Sequence, residues 1–270
     1  MATLSQQASV KQQAGVKLDR LFYTAAGAIF LVVIVIGFQH YIFGGKHVDG
    51  SPIDPSNVAT VAVHGSSIFA WYVLFFVQSL LISKQNRRLH MKLGWTVLVI
   101  APIIVLSGPL VAIRFLRLDP SADWHREILL VNIEELSTYV VFVAIGVLNR
   151  KRPRVHRPMM LLSCLTMLIA PANRIPLINS IFGGWPKSSF FDFAQRYTPA
   201  LWPSLAYWMA IWGSTVSLGA LLLLVRFAMT RRVDRELAAG YAAYVMVTVL
   251  TSKLALTSVW FNWAGAISKL

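Results

Sequence analysis

Long apolar runs separated by short polar connections dominate this chain. A helix needs roughly 20 mostly apolar residues to cross about 30 Å of hydrocarbon. Six segments meet that need: Leu21–Phe43, Val58–Ser83, Leu93–Ile113, Ile128–Leu148, Pro158–Pro176 and Leu205–Val225. A seventh, Leu237–Trp263, is interrupted by Lys253. The runs are too long and too little alternating for barrel strands, and lipid offers an open backbone no partners, so each reads as a helix. The pattern predicts an all-α, polytopic transmembrane bundle of six or seven spans. It forms one domain over residues 21–270, behind a polar, Gln-rich and frayed tail over 1–20. No small-residue cleavage site follows the first run, which therefore reads as an uncleaved helix and not as a signal peptide. Pro102 and Pro171 are each expected to kink a helix.

Composition agrees. Of 270 residues, 56% are apolar and 13% charged, about half the charged share of a soluble domain. This excludes a soluble enzyme, a disordered chain and a disulfide scaffold. The one cysteine, Cys164, falls inside the fifth segment and reads as a packing residue. The chain has no P-loop, GxSxG, HExxH, GxGxxG or CxxCH motif.

The net charge of +14 has to be read by position. Lys11, Lys17 and Arg20 precede the first segment, and Lys84, Arg87, Arg88 and Lys92 follow the second. Arg150, Lys151, Arg152, Arg154 and Arg157 follow the fourth, and Arg226, Arg231, Arg232 and Arg235 the sixth. One side thus holds 16 of the 25 basic residues with only Asp19, Asp234 and Glu236 as acids; the other side holds nine basic and eight acidic residues. Such a bias orients a multi-pass protein of a plasma or inner membrane with its N-terminus in the cytoplasm. The same clustering leaves no basic stripe on a soluble face, so nucleic acid is not an expected partner. The lipid bilayer is. The outer connection Leu177–Ser204 carries Trp185, Phe190, Phe191, Phe193, Tyr197 and Trp202. It is expected to lie at the headgroups, with a lid over an outer cavity as the alternative.

Ionisable side chains within the apolar runs are expensive and point to function. Glu134 and Glu135 lie in the fourth segment, where Asn132, Glu135 and Tyr139 share one helical face and Glu134 shares another with Ser137 and Thr138. Arg174 and Arg114 fall at similar depth and are expected to neutralise them. The carboxylates form either a buried ion pair that orders the bundle or a proton or ligand site. His64, Trp71 and Gln78 recur every seven residues as one stripe, expected to face the interior.

Four histidines open or lie within successive segments. His64 and His125 fall at the outer level, and His90 and His156 at the inner level. Alternate helices run parallel, so each pair is level. Two imidazoles at one depth can clamp a haem iron from opposite faces, and two such pairs would stack two haems across the bilayer. Without CxxCH, such haem b would be bound non-covalently. Contact with headgroups is the plain alternative for His90, His125 and His156.

The pattern HGSSIFAWYVLFFVQSLLI, RRLHMKLGW, RVHRPMMLLS and APANR, over about residues 60–176, resembles a family of bacterial polytopic inner-membrane proteins without an assigned activity. In arrangement, the chain more distantly resembles cytochrome b561. That likeness implies one haem between the second and fourth helices, here His64 and His125, and another between the third and fifth, here His90 and His156. The level histidine pairs make electron transport the leading reading, with a quinol or a membrane redox partner. The alternatives are a non-enzymatic transporter or channel using His64, Glu134, Glu135 and Arg174, and a scaffold subunit of a larger membrane complex.

Overall fold

A computed structural model describes residues 4–46, 50, 52–118, 123–183, 202–255 and 257–267. Among the described residues the elements are helical, with no strand. The chain is an integral, multi-pass membrane protein: six helices are long and apolar enough to cross a bilayer.

Helix α1 (Leu4–Gly37) begins inside the stretch expected as a frayed tail, so that stretch is helical from Leu4. Its spanning part, Leu18–Gly37, buries Phe22, Tyr23, Ala26, Phe30 and Ile34, one face at helical spacing. Leu21, Ile29, Val32 and Ile36 face outward, where lipid would lie. After the short α2 (Gln39–Gly44), α3 (Pro55–Ser83) starts with Pro55 at its first position. Asp54 caps it, accepting from the Ser56 amide at 2.8 Å and the Ser56 hydroxyl at 2.6 Å. Those two bonds hold the Asp54 carboxyl below the usual carboxylate range.

The third crossing is α4 (Arg87–Gly94) and α5 (Val97–Leu118), joined by a turn at Trp95 and Thr96. Pro102 sits within the second turn of α5 and does not break it. The helix is continuous through both Pro102 and Pro109. Helix α6 (Asp123–Leu148) returns to the basic side.

The fifth crossing departs from expectation. Pro158–Pro176 is not one spanning helix; it is α7 (Pro153–Thr166) and α8 (Ile169–Asn173), followed by α9 (Pro176–Ile178) and a π-helical turn, Asn179–Gly183. Pro171 has no amide hydrogen, and its ring opposes the carbonyl of the residue four back, Met167, which is where the helix breaks. The break lies inside the protein. Met159, Leu161, Leu162, Cys164, Leu165, Leu168 and Ile169 are all buried, so the freed backbone does not meet lipid. The segment still traverses the bundle beside α1. Arg157 pairs with Asp19 at the basic end, and Pro171 packs on Gly37 at the other. From Asp19 to Gly37, α1 rises about 27 Å, close to the hydrocarbon thickness.

Helices α10 (Trp202–Thr230) and α11 (Arg235–Ala255) complete the bundle, and α12 (Ser258–Ile267) packs over the outer ends of α5 and α6. The seventh segment is therefore one spanning helix that ends at Ala255 and a short helix beyond. Lys253 is exposed in the last turn of α11, where a cation suits the helix dipole. Of the outer connection, residues 184–201 and the side chain of Trp202 lie outside the described residues.

The basic loops gather at one end, as their charge requires. Asp19 pairs with both Arg157 and Arg226, and Arg226 Nε lies 3.3 Å from Asp234 Oδ2. The Arg226 guanidinium also covers the rings of Phe22 and Tyr23 at 5.3 and 5.6 Å. One carboxylate thus joins α1, α7 and α10, and Arg226 extends the network to the start of α11.

A methyl group at Gly37 would stand 2.2 Å from the Pro171 carbonyl oxygen, whereas one at Gly44 meets nothing within 4 Å. Gly37→Ala is expected to destabilise the bundle by about 1–3 kcal/mol. Thermal unfolding in detergent should show a lowered midpoint for Gly37→Ala and little change for Gly44→Ala.

Candidate functional site

The third and fifth crossings enter the membrane from the basic side, and each carries a histidine near its start. His90 lies on α4, which Asn86 caps by accepting from the Leu89 amide at 3.1 Å. His156 lies in the first turn of α7, behind Pro153. Their ring centroids are 6.4 Å apart, with the planes crossed at 85°. The rings meet although α4 and α7 hardly pack along their lengths.

The His156 Nδ1–H donates to the Gly146 carbonyl of α6 at 2.8 Å. That bond fixes the tautomer and leaves the Nε2 lone pair available, the usual second contact of a metal-bound imidazole. His90 Nδ1 is buried without a well-formed hydrogen bond. On α3, Gln78 has a buried, unbonded Oε1, and its amide nitrogen lies against Gly94, one turn along α4 from His90. His90 and His156 are the two side chains here that could hold a haem iron, with His156 oriented by Gly146 and His90 Nδ1 left without a partner. Among the described residues, no three His, Cys, Asp or Glu side chains form a metal cage.

At the outer level the structure describes one member of the pair. His64 Nδ1 lies 2.9 Å from Ser107 Oγ on α5. The Ser107 hydroxyl spends its hydrogen on the Ile103 carbonyl at 2.6 Å, so His64 Nδ1–H is the donor and its Nε2 lone pair is free for a ligand. Gly108 passes so close that a methyl group there would lie 3.2 Å from His64 Cε1. His125 is in the first turn of α6, and its side chain lies outside the described residues. Between the two levels Trp71 is buried edge-on against Tyr139 at 5.0 Å, so the stripe it shares with His64 and Gln78 faces neighbouring helices, as its polarity demands.

The carboxylates of α6 lie in the interior, 4% and 8% exposed for Glu134 and Glu135. Trp212 Nε1–H of α10 donates to Glu134 Oε2 at 2.9 Å, and Thr138 Oγ1 lies 3.0 Å from Oε1. Neither expected arginine pairs with them. Arg114 donates to the Ser56 carbonyl and to Asn57 Oδ1. Arg174 donates to the Ala170 carbonyl at 2.7 Å and lies over the rings of Phe38 and Tyr41. The reason is geometric: at the end of the short α8, the Arg174 side chain is held by its own helix and by aromatic rings of the α1–α2 corner. Trp212 was the unforeseen partner. Its signal was present, since a buried indole N–H requires an acceptor.

The class that these features define is a polytopic α-helical membrane protein with internal polar sites. No family model matches the chain, nor does any curated protein or solved structure.

Removing the indole donor should leave Glu134 Oε2 unpaired inside the bundle. Trp212→Phe is expected to cost about 1–3 kcal/mol. In a thermal-shift measurement its midpoint should fall clearly below that of the control Trp263→Phe, made at a half-exposed position.

Proposed function

We propose that the chain is an electron carrier of a bacterial inner membrane, of the b-type cytochrome kind, with haem b held non-covalently by His90 and His156. The observation that supports it is the facing of these two rings, 6.4 Å apart, at the basic end of neighbouring crossings. The Gly146 carbonyl orients His156 and raises the basicity of its imidazole. Haem iron held by two imidazoles would supply one-electron chemistry between the ferrous and ferric states. The arginines between Arg150 and Arg157 supply positive charge beside the site. His64, with Nδ1–H engaged by Ser107, is the first half of an outer site that His125 would complete. Carriage across the bilayer would then link a quinol or a membrane redox partner on one side to an acceptor on the other.

The purified, haem-replete protein should show a sharp b-type band in a reduced-minus-oxidised spectrum. His90→Leu and His156→Leu should each abolish the inner haem's share of that band while the protein remains monodisperse in detergent. A folded protein with no b-type band, or one whose band is unchanged in both variants, would refute the reading.

A further inference from the structure

A second polar site, independent of the haem reading, lies deeper in the bundle. Glu134 and Glu135 are adjacent and buried, yet their surroundings differ. Glu134 has contacts at both oxygens. Glu135 Oε1 is buried with no hydrogen-bond partner, on a residue 8% exposed.

The groups that face Glu135 from each neighbouring element are committed elsewhere. From α3, the Tyr72 hydroxyl donates to the Cys164 carbonyl of α7 at 2.6 Å. From α11, the Tyr244 hydroxyl is bonded to Thr215 at 2.7 Å. From α10, Trp212 serves Glu134. Beyond α8, Arg174 is within electrostatic reach but bonded to Ala170 and stacked on rings. On α5, Arg114 is held at the outer rim by Ser56 and Asn57. The sequence of α12 has no charged residue. One turn towards the outer end, on the same face of α6, Asn132 Oδ1 is also buried and unbonded.

Two oxygens therefore lie a turn apart, each without a hydrogen-bond partner. A bare carboxylate there would sit beside a second carboxyl with no counter-charge in contact, in a medium that penalises isolated charge severely. Thr138 has one hydroxyl hydrogen for two acceptors, the Glu134 carbonyl at 2.8 Å and Glu134 Oε1 at 3.0 Å. On the face of Glu135, one turn further in, the Tyr139 hydroxyl is likewise buried and unbonded.

We propose that Glu135 is an intramembrane proton-binding site, loaded from the outer face by way of Asn132. Uptake forms one O–H bond: carboxylate and hydronium become carboxylic acid and water, and release reverses this with no change of oxidation state.

Infrared difference spectroscopy of the full-length protein in detergent tests it. At pH 7 the protein should show a free-acid carbonyl band that shifts in D2O and moves on 13C-glutamate labelling. The band should be lost in Glu135→Gln and retained in Asn132→Ala, whose proton exchange should be at least several-fold slower. If Glu135→Gln fails to fold, Glu134→Gln decides: the band should persist in it, and its loss there would overturn the proposal. Of the four glutamates, Glu127 and Glu236 lie at helix ends, so a buried acid band arises from Glu134 or Glu135. Absence of a glutamate acid band at pH 7 would overturn the proposal, as would its survival in folded Glu135→Gln. Its abolition by sodium at fixed pH would also overturn it, because the site would then take a metal cation.

Discussion

Pro171 lacks the hydrogen that an α-helix needs, and a membrane gives the abandoned Met167 carbonyl no water to turn to. The bundle is built around that constraint. The broken fifth crossing is the most enclosed part of the chain, with Ser163, Cys164, Leu165, Thr166 and Leu168 fully buried. Long helices supply the lipid-facing surface instead, through residues such as Leu106, Leu224 and Leu250. The division of labour is physical. A continuous helix satisfies its own backbone and can face hydrocarbon, whereas an interrupted one must be wrapped in protein. Close approach to it is bought with small residues: Gly37 meets Pro171, Gly240 meets Leu162 and Gly219 meets Leu165.

Much of this fold was legible in the residues, because span length and loop charge are strong, one-dimensional signals. The second, third, fourth and sixth segments are spanning helices close to their expected places, and the arginine clusters do meet at one end. What failed was continuity. Pro158–Pro176 has the hydropathy of a span, and hydropathy does not report whether a segment faces lipid or protein. The seventh segment split for a similar reason, with Lys253 marking the end of a helix and not an interruption within one.

At the sites, level was readable and partnership was not. Chain direction placed His90 level with His156, and their rings meet. Phase also placed Glu134 with Thr138. Arg174 stays within electrostatic reach of Glu135 without forming an ion pair, since depth alone cannot foresee that it would stack on Phe38 and Tyr41. Trp212, 78 residues from Glu134, was invisible to any local pattern. Asp19 and Asp234 looked like ordinary loop charges, yet both carry the contacts that gather four helices.

The pairing of Asp19 with Arg226 spans 207 residues. A ribosome adding about 5–20 residues per second needs on the order of ten to forty seconds to make that stretch. During that time the first helix is already made, with its carboxylate waiting at the basic border. Biogenesis therefore has a late closing step: the earliest helix to enter the bilayer is among the last to be fixed, and the nascent bundle stays open to rearrangement, or to chaperoning, until the sixth long run arrives.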